Sequence, residues 1–160
     1  TQNSIMRTLS IFTLAILLMA VAVGHSAQGQ SLPNYTGHWQ LNLQDTELEA
    51  DWTQGLTEGT FHIEHQEPSF SLQRSFIIKG KDRKQAYEIL TNGEEQKGKF
   101  RTVWSMIWQQ ERLLLTVTRK GTVNTVEYYL NERGQLVADE HQTSAQVNYH
   151  NHWVFDRVAE

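Results

Sequence analysis

Along most of this chain apolar residues recur at every second position. In the stretch N-Y-T-G-H-W-Q-L-N-L, Asn34–Leu43, the residues Trp39, Leu41 and Leu43 alternate with His38, Gln40 and Asn42, the period of a strand with one buried face. Gly37 just ahead permits a kink or a close backbone approach. The same period returns in Phe61, Ile63 and His65, and after the Gln66-Glu67-Pro68 turn in Phe70, Leu72, Arg74, Phe76 and Ile78, so this pair reads as a hairpin. Lys79-Gly80-Lys81-Asp82 makes the next turn, Gln85–Leu90 is a strand, and Thr91-Asn92-Gly93 is a strong hairpin signal. Lys99–Gln109 carries Phe100, Trp104, Met106 and Trp108 in one phase, and Gln110–Arg112 turns it back into Leu113–Arg119. Thr122–Leu130, Gln135–Gln142 and Val147–Arg157, the last with Tyr149, Trp153 and Phe155 in phase, complete the series.

Short turns bearing glycine or asparagine between so many strands are the spacing of an antiparallel up-and-down meander. Such a sheet removes its exposed edges by closing on itself, and a barrel of about 8–10 strands leaves room for a small ligand. The fold expected is therefore all-β, a closed antiparallel barrel. A two-sheet sandwich competes, but its cross-connections need longer loops than most of these. Only Gln44–Gly59 breaks the pattern: it is acidic, ends in glycine and suits one short helix, Thr46–Trp52, capped by Asp45 or Thr46. Trp52 and Leu56 would then cover one end of the barrel as a lid, or pack as a satellite cluster.

The first residues carry a different signal. Arg7 precedes an apolar run from Ile11 to Val23 followed by small and polar residues, the layout of a secretory signal peptide and too short for a membrane span, which takes about 20 residues. Residues 1–27 are expected to be that signal, with Met6 as the start and Thr1–Ile5 not native, and residues 28–160 to be one barrel domain. A retained N-terminal anchor helix is the alternative. The expected location is outside the cytoplasm, secreted or periplasmic, with no stable membrane insertion once the signal is removed. The chain has no cysteine, so its stability comes from packing and strand pairing, and export without disulfides suits a bacterial envelope. The net charge of -4 is made of interspersed acids and bases with no basic tract, which argues against nucleic acid and anionic membrane as partners.

The opening G-H-W, the all-strand remainder and the length resemble the calycin superfamily of lipocalins, fatty-acid-binding proteins and avidins. More closely, N-Y-T-G-H-W-Q-L-N-L, the T-N-G-E-E turn, the late L-N-E-R-G-Q-L hairpin and the closing N-H-W-V-F-D-R resemble small secreted lipocalin-like proteins of bacteria. The resemblance implies a lipocalin-like barrel in which Trp39, set by Gly37, packs under an arginine from the last strand, and Arg157 fits that role. It also implies that these three are structural. The second lipocalin motif, T-D-x-x-N-Y, and the helix-turn-helix portal of fatty-acid-binding proteins are both absent.

Within the barrel, Arg74 shares the phase of an otherwise apolar face, and a desolvated arginine needs an anion. A ligand carboxylate would serve; so would an internal glutamate such as Glu88 or Glu140, and a β-bulge after Leu72 would turn the side chain outward. Phe100, Trp104, Met106 and Trp108, with Tyr87 and Tyr128 on neighbouring runs, give either a pocket wall with polar tips or a filled core. His150-x-His152 puts two imidazoles on one face of the last strand, and closure would bring His38 beside them, the makings of a metal site. Asn34-Tyr35-Thr36 is a glycosylation sequon. No nucleophile elbow, phosphate loop or paired-carboxylate motif is present, so no enzyme activity and no cofactor are implied. The leading expectation is an exported protein that holds a small hydrophobic or amphipathic molecule, with Arg74 for an anionic head and Tyr87, Trp104, Trp108 and Tyr128 as wall. The alternatives are a fully packed barrel acting through its surface on an envelope partner, and a histidine-based metal module.

Overall fold

The computed structural model describes residues 31–159; the expected signal peptide lies outside the described residues. Ser31–Glu160 forms one compact unit built from eleven strands: β1 (Gly37–Leu41), β2 (Glu47–Leu48), β3 (Leu56–Gln66), β4 (Ser69–Ile78), β5 (Lys81–Leu90), β6 (Gln96–Lys97), β7 (Thr102–Gln109), β8 (Arg112–Arg119), β9 (Thr122–Leu130), β10 (Leu136–Thr143) and β11 (Tyr149–Arg157). They make one antiparallel sheet in the order β5-β4-β3-β1-β11-β10-β9-β8-β7-β6, with β2 also on β11. The first strand thus lies against the last, with Trp39 opposite Arg157 and Leu41 opposite Phe155. No helix among the described residues is long and apolar enough to cross a membrane.

Closure is nearly complete, and the incomplete part has a local cause. Thr91-Asn92-Gly93 does not join two ladder partners: Asn92 bridges Ile107, and the Gly93 N–H donates to the Met106 carbonyl at 2.9 Å. The chain crosses there from β5 to β7, and β6 then pairs with β7 rather than with β5. A seam between β5 and β6 is the result.

Two further expectations are corrected. The stretch Thr46–Trp52 is not a helix. Glu47–Leu48 pairs with β11, and only Asp51–Thr53 forms a single 3-10 turn. The strand expected from Lys99 begins at Thr102, because Phe100 and Arg101 both hold left-handed backbone, with φ of 58° and 60°. That twist takes Phe100 out of the Trp104 phase and leaves it 73% exposed.

The register sorts the connections into two ends. One carries the β3–β4, β7–β8 and β9–β10 turns; the other carries the β4–β5, β8–β9 and β10–β11 turns, the Glu49–Gly55 loop and the link into β7. At the first end Trp39 is 1% exposed and its indole N–H donates to the Tyr35 carbonyl at 3.0 Å. The Arg157 guanidinium sits 4.9 Å from the indole centroid and donates to the Thr36 carbonyl. Gly37 has φ of 150°, and a Cβ there would lie 3.2 Å from Arg157 Nε, so glycine is what lets the arginine reach the ring.

Removing either half of this stack should loosen the closure. Trp39→Ala is expected to cost about 3–5 kcal/mol as a large buried aromatic, and Arg157→Ala about 1 kcal/mol as an exposed cation over a ring. Urea unfolding of the two variants measures both, and an Arg157→Ala midpoint equal to the parent's would show that the stack carries no closure energy.

Candidate ligand cavity

The inward phase of β4, β5, β8 and β9 does not fill the barrel. It encloses a cavity of about 1300 Å³ that opens at the end carrying the Glu49–Gly55 loop. The fully packed barrel considered as an alternative is therefore not what the chain forms. Phe70, Leu72, Phe76, Ile89, Leu115 and Val126 supply the apolar lining.

Arg74 faces this space. The β3–β4 ladder runs unbroken from Glu58 to Gln66, and its one register shift falls between Leu56 and Glu58, so no bulge turns Arg74 outward. Its cross-strand neighbour is Gln85, and the guanidinium Nε donates to Gln85 Oε1 at 2.7 Å. A second guanidinium N–H and the Tyr87 hydroxyl, the latter at 2.9 Å, donate to the same oxygen. Three donors thus converge on one neutral acceptor. Among the described residues no carboxylate lies within ion-pair distance of Arg74, Glu88 and Glu140 included. The guanidinium carbon also lies 5.3 Å from the Tyr87 ring and 5.7 Å from the Phe76 ring.

Tyr128 is buried in the same wall. Burial pushes its hydroxyl well above the ordinary tyrosine value, the Arg74 charge pulling against this and Glu140 adding to it. That hydroxyl makes no hydrogen bond to the described residues, which leaves it a neutral donor at the cavity surface.

Glu140, one of the internal glutamates expected as a partner for Arg74, lines the cavity but is paired elsewhere. It is 9% exposed and accepts from four donors: Asn124 Nδ2 at 2.9 Å and the Tyr149 hydroxyl at 3.3 Å on one oxygen, Asn151 Nδ2 and Trp153 Nε1 at 3.0 Å on the other. A buried carboxylate is tolerated when its lone pairs are used in this way. Asn151, fully buried, also accepts the backbone N–H groups of Glu49 and Ala50 at 2.9 and 3.1 Å, tying the Glu140 wall to the loop at the mouth. Trp52 stands on that loop, lining the opening while 41% exposed, with its ring 5.7 Å from Trp153.

Trp104 and Trp108 do not line the cavity. Trp104 lies flat against Gly98, where a Cβ would be 2.1 Å from its ring, and its indole N–H is buried without a partner. Trp108 belongs to the closed end. Its N–H donates to Glu67 Oε1 at 2.6 Å beside His65 Nε2 at 2.9 Å, and its ring packs 5.9 Å from that of Tyr35. Both tryptophans keep the inward period, but β7 runs along the seam and down to the closed end, away from the open part of the interior.

The histidine trio does not assemble either. β1 meets only the last residues of β11, so His38 falls level with Val158 and stacks on His62 at 4.1 Å. His152, six residues up the strand, lies about 20 Å away at the rise of a β-strand. His150 and His152 instead share Asp139 Oδ1, at 3.3 and 2.6 Å. Among the described residues no group of three metal-ligating side chains gathers.

The hollow antiparallel barrel closed by its first and last strands has the fold of solved fatty-acid- and bile-acid-binding proteins. Solved structures with this fold include fatty-acid-binding protein 1 of Echinococcus granulosus, with 10% identity, a TM-score of 0.56 and coverage of 78% of this chain and 98% of that one. The zebrafish ileal bile acid-binding protein complexed with cholic acid has 11% identity, a TM-score of 0.53 and coverage of 78% and 98%. A secretory abundant heat soluble protein of Ramazzottius varieornatus has 14% identity, a TM-score of 0.56 and coverage of 78% and 95%. At these identities the likeness is one of fold. No protein-family model matches the chain, and no curated protein matches it.

The closed end generates a pH prediction. Burial acts to raise the Glu67 carboxyl, but the hydrogen bonds from Thr91, His65 and Trp108 outweigh it and hold it below its ordinary 4.5. A carboxylate with a depressed folded-state pKa contributes stability that is present above pH about 4.5 and is lost as pH falls through the folded value. Urea midpoints followed from neutral pH down to pH about 3 should therefore decline less steeply below pH 4.5 for Glu67→Gln than for the parent; parallel curves would refute the assignment.

Proposed function

We propose that this protein is a non-catalytic carrier that holds a small amphipathic molecule with a carboxylate head in its barrel cavity. The single observation that carries the reading is the Arg74 site: a half-buried guanidinium facing an apolar cavity and balanced only by the neutral Gln85 carboxamide. Burying an arginine without an anion is unfavourable, and a carboxylate arriving beside Arg74 and Tyr87 would accept donors that now share one amide oxygen, in charge-assisted bonds about twice as strong as neutral ones. The apolar lining suits a hydrocarbon or ring body. Glu140 supports the same orientation, since its occupied carboxylate repels an anion from the opposite wall. The fold neighbours support the class of ligand, as their names record fatty-acid and bile-acid binding.

The protein acts outside the cytoplasm on this reading, secreted or periplasmic. Arg7 ahead of the apolar run Ile11–Val23 supports export, and export of a chain without cysteine suits a bacterial envelope.

Titration of the barrel domain with the fluorescent fatty acid cis-parinaric acid should give saturable binding. Arg74→Ala is expected to weaken it by about ten- to a hundredfold, the range of a lost hydrogen bond to a charged group, while binding of the corresponding methyl ester changes little. Equal loss for acid and ester would mean that Arg74 shapes the cavity rather than holding the head, and no binding of either would remove the carrier reading.

A further inference from the structure

The mouth of the cavity gathers charge that the linear sequence scatters. The β4–β5 turn brings Lys79 and Lys81, the link into β7 brings Lys97, Lys99 and Arg101, and the β8–β9 turn brings Arg119 and Lys120. Seven of the chain's 14 Lys and Arg residues thus crowd one end of a protein whose net charge is -4. Glu49 and Asp51 on the mouth loop, Asp82 beside the β4–β5 turn, and Glu94 and Glu95 on the link into β7 are the acids of these segments, against seven cations, and Asp82 is already paired with Lys84 at 3.0 Å. Reading runs of charge along the chain misses this cluster, because each turn supplies only two or three cations.

Phe100 stands among these cations. It is the most exposed of the large hydrophobic side chains, at 73%, and the guanidinium of Arg119, which also lines the cavity, lies 5.6 Å from its ring. Nothing in the barrel's packing needs it there. Phe100 and Arg101 are held in left-handed backbone that costs a non-glycine residue about 1–2 kcal/mol, and the outcome of that geometry is an aromatic ring delivered to water between Lys99 and Arg101. Trp52 at 41% and Val147 at 52% exposure stand at the same rim.

We propose that the mouth end docks on an anionic phospholipid surface, with the cations on the headgroups and Phe100 inserted between them. The inference rests on the carrier reading for its purpose, since a cavity that opens toward a bilayer can exchange a lipid-like molecule without passing it through water. An exposed aromatic ringed by Lys and Arg matches the interfacial region of a bilayer in both polarity and charge. It also reverses the expectation drawn from the charge pattern of the sequence, which counted anionic membranes among the excluded partners.

Co-sedimentation of the Ser31–Glu160 domain with vesicles tests it. That segment contains every described strand and the whole described core and lacks the apolar run that would bind vesicles for its own reasons. Binding is expected to vesicles of phosphatidylcholine doped with phosphatidylglycerol, but not to phosphatidylcholine alone. It should be lost between about 0.1 M and about 1 M salt, as the screening length falls from about 10 Å to about 3 Å. Lys99→Ala and Arg101→Ala should each weaken binding about fivefold, and Phe100→Ser severalfold, with cis-parinaric acid binding in vesicle-free solution unchanged. Equal binding to both vesicle types, no binding to the anionic ones, or insensitivity to all three substitutions would overturn the proposal. So would equal displacement by single-stranded DNA, which would mark a general polyanion surface. Docking without fatty-acid binding would refute the carrier reading alone, and fatty-acid binding without docking would refute this one alone.

Discussion

The contact of the first strand with the last is the constraint on which everything else in this molecule depends. The ten-strand path ends at β5 and β6, on either side of the seam; the pairing of β1 with β11 in its middle joins the β1-β3-β4-β5 part to the β6–β11 part, and without it the chain would form two smaller sheets with exposed edges. The short run from His38 to Asn42 performs that joining, against Val154 to Val158, and so few ladder positions need reinforcement from side chains. Trp39 provides it from within and Arg157 from without, and Gly37 yields the space between them. β1 then continues, after a loop, as β2 along the same partner strand. Asn151 receives the chain there and fixes the mouth loop. The closure and the mouth are therefore consecutive consequences of one strand seated on β11.

Inside the vessel the two opposite charges are treated differently, and the difference is what gives the cavity a direction. Glu140 uses both oxygens on four side-chain donors from the two neighbouring strands, β9 and β11, so it needs nothing from a ligand. Arg74 has only an amide oxygen that it shares with Tyr87. A wall with a satisfied anion on one side and an underpartnered cation on the other favours one orientation of an amphipathic anion over its reverse.

How much of this was legible in the sequence follows from which physical signals are local. The strands were, because alternation is local, and so was the inward phase of Arg74, because Phe70, Leu72, Phe76 and Ile78 fix it. Glu140 was legible as an internal carboxylate, but its partners were not: Asn124, Tyr149, Asn151 and Trp153 come from β9 and β11, and only strand register brings them to it. Asn92-Gly93 has the chemistry of a hairpin, but whether its N–H groups find β5 or β7 is decided by barrel closure, a long-range matter. The histidine trio failed on register, since sharing an outward phase says nothing about height along a strand. Phe100 failed for a third reason. Two consecutive non-glycine residues in left-handed backbone have no sequence signature, and one such pair is enough to turn a wall residue into a surface one.

The resulting polarity runs through the whole molecule. At the closed end the polar groups are spent on one another: His65, Glu67, Thr91 and Trp108 share hydrogen bonds, and the Tyr35 hydroxyl donates to the carbonyls of Glu111 and Tyr128. Such a network is rigid because each member needs the others. At the mouth the cations have few partners and the large side chains face water, so that end keeps its capacity for interaction. Arg119, Lys120, Arg83 and Lys84 are exposed around the opening, and Arg74 alone of the lining cations is half-buried inside. Attraction between charges grows as water is withdrawn, so on the carrier reading a carboxylate is held more firmly at Arg74 than at the rim.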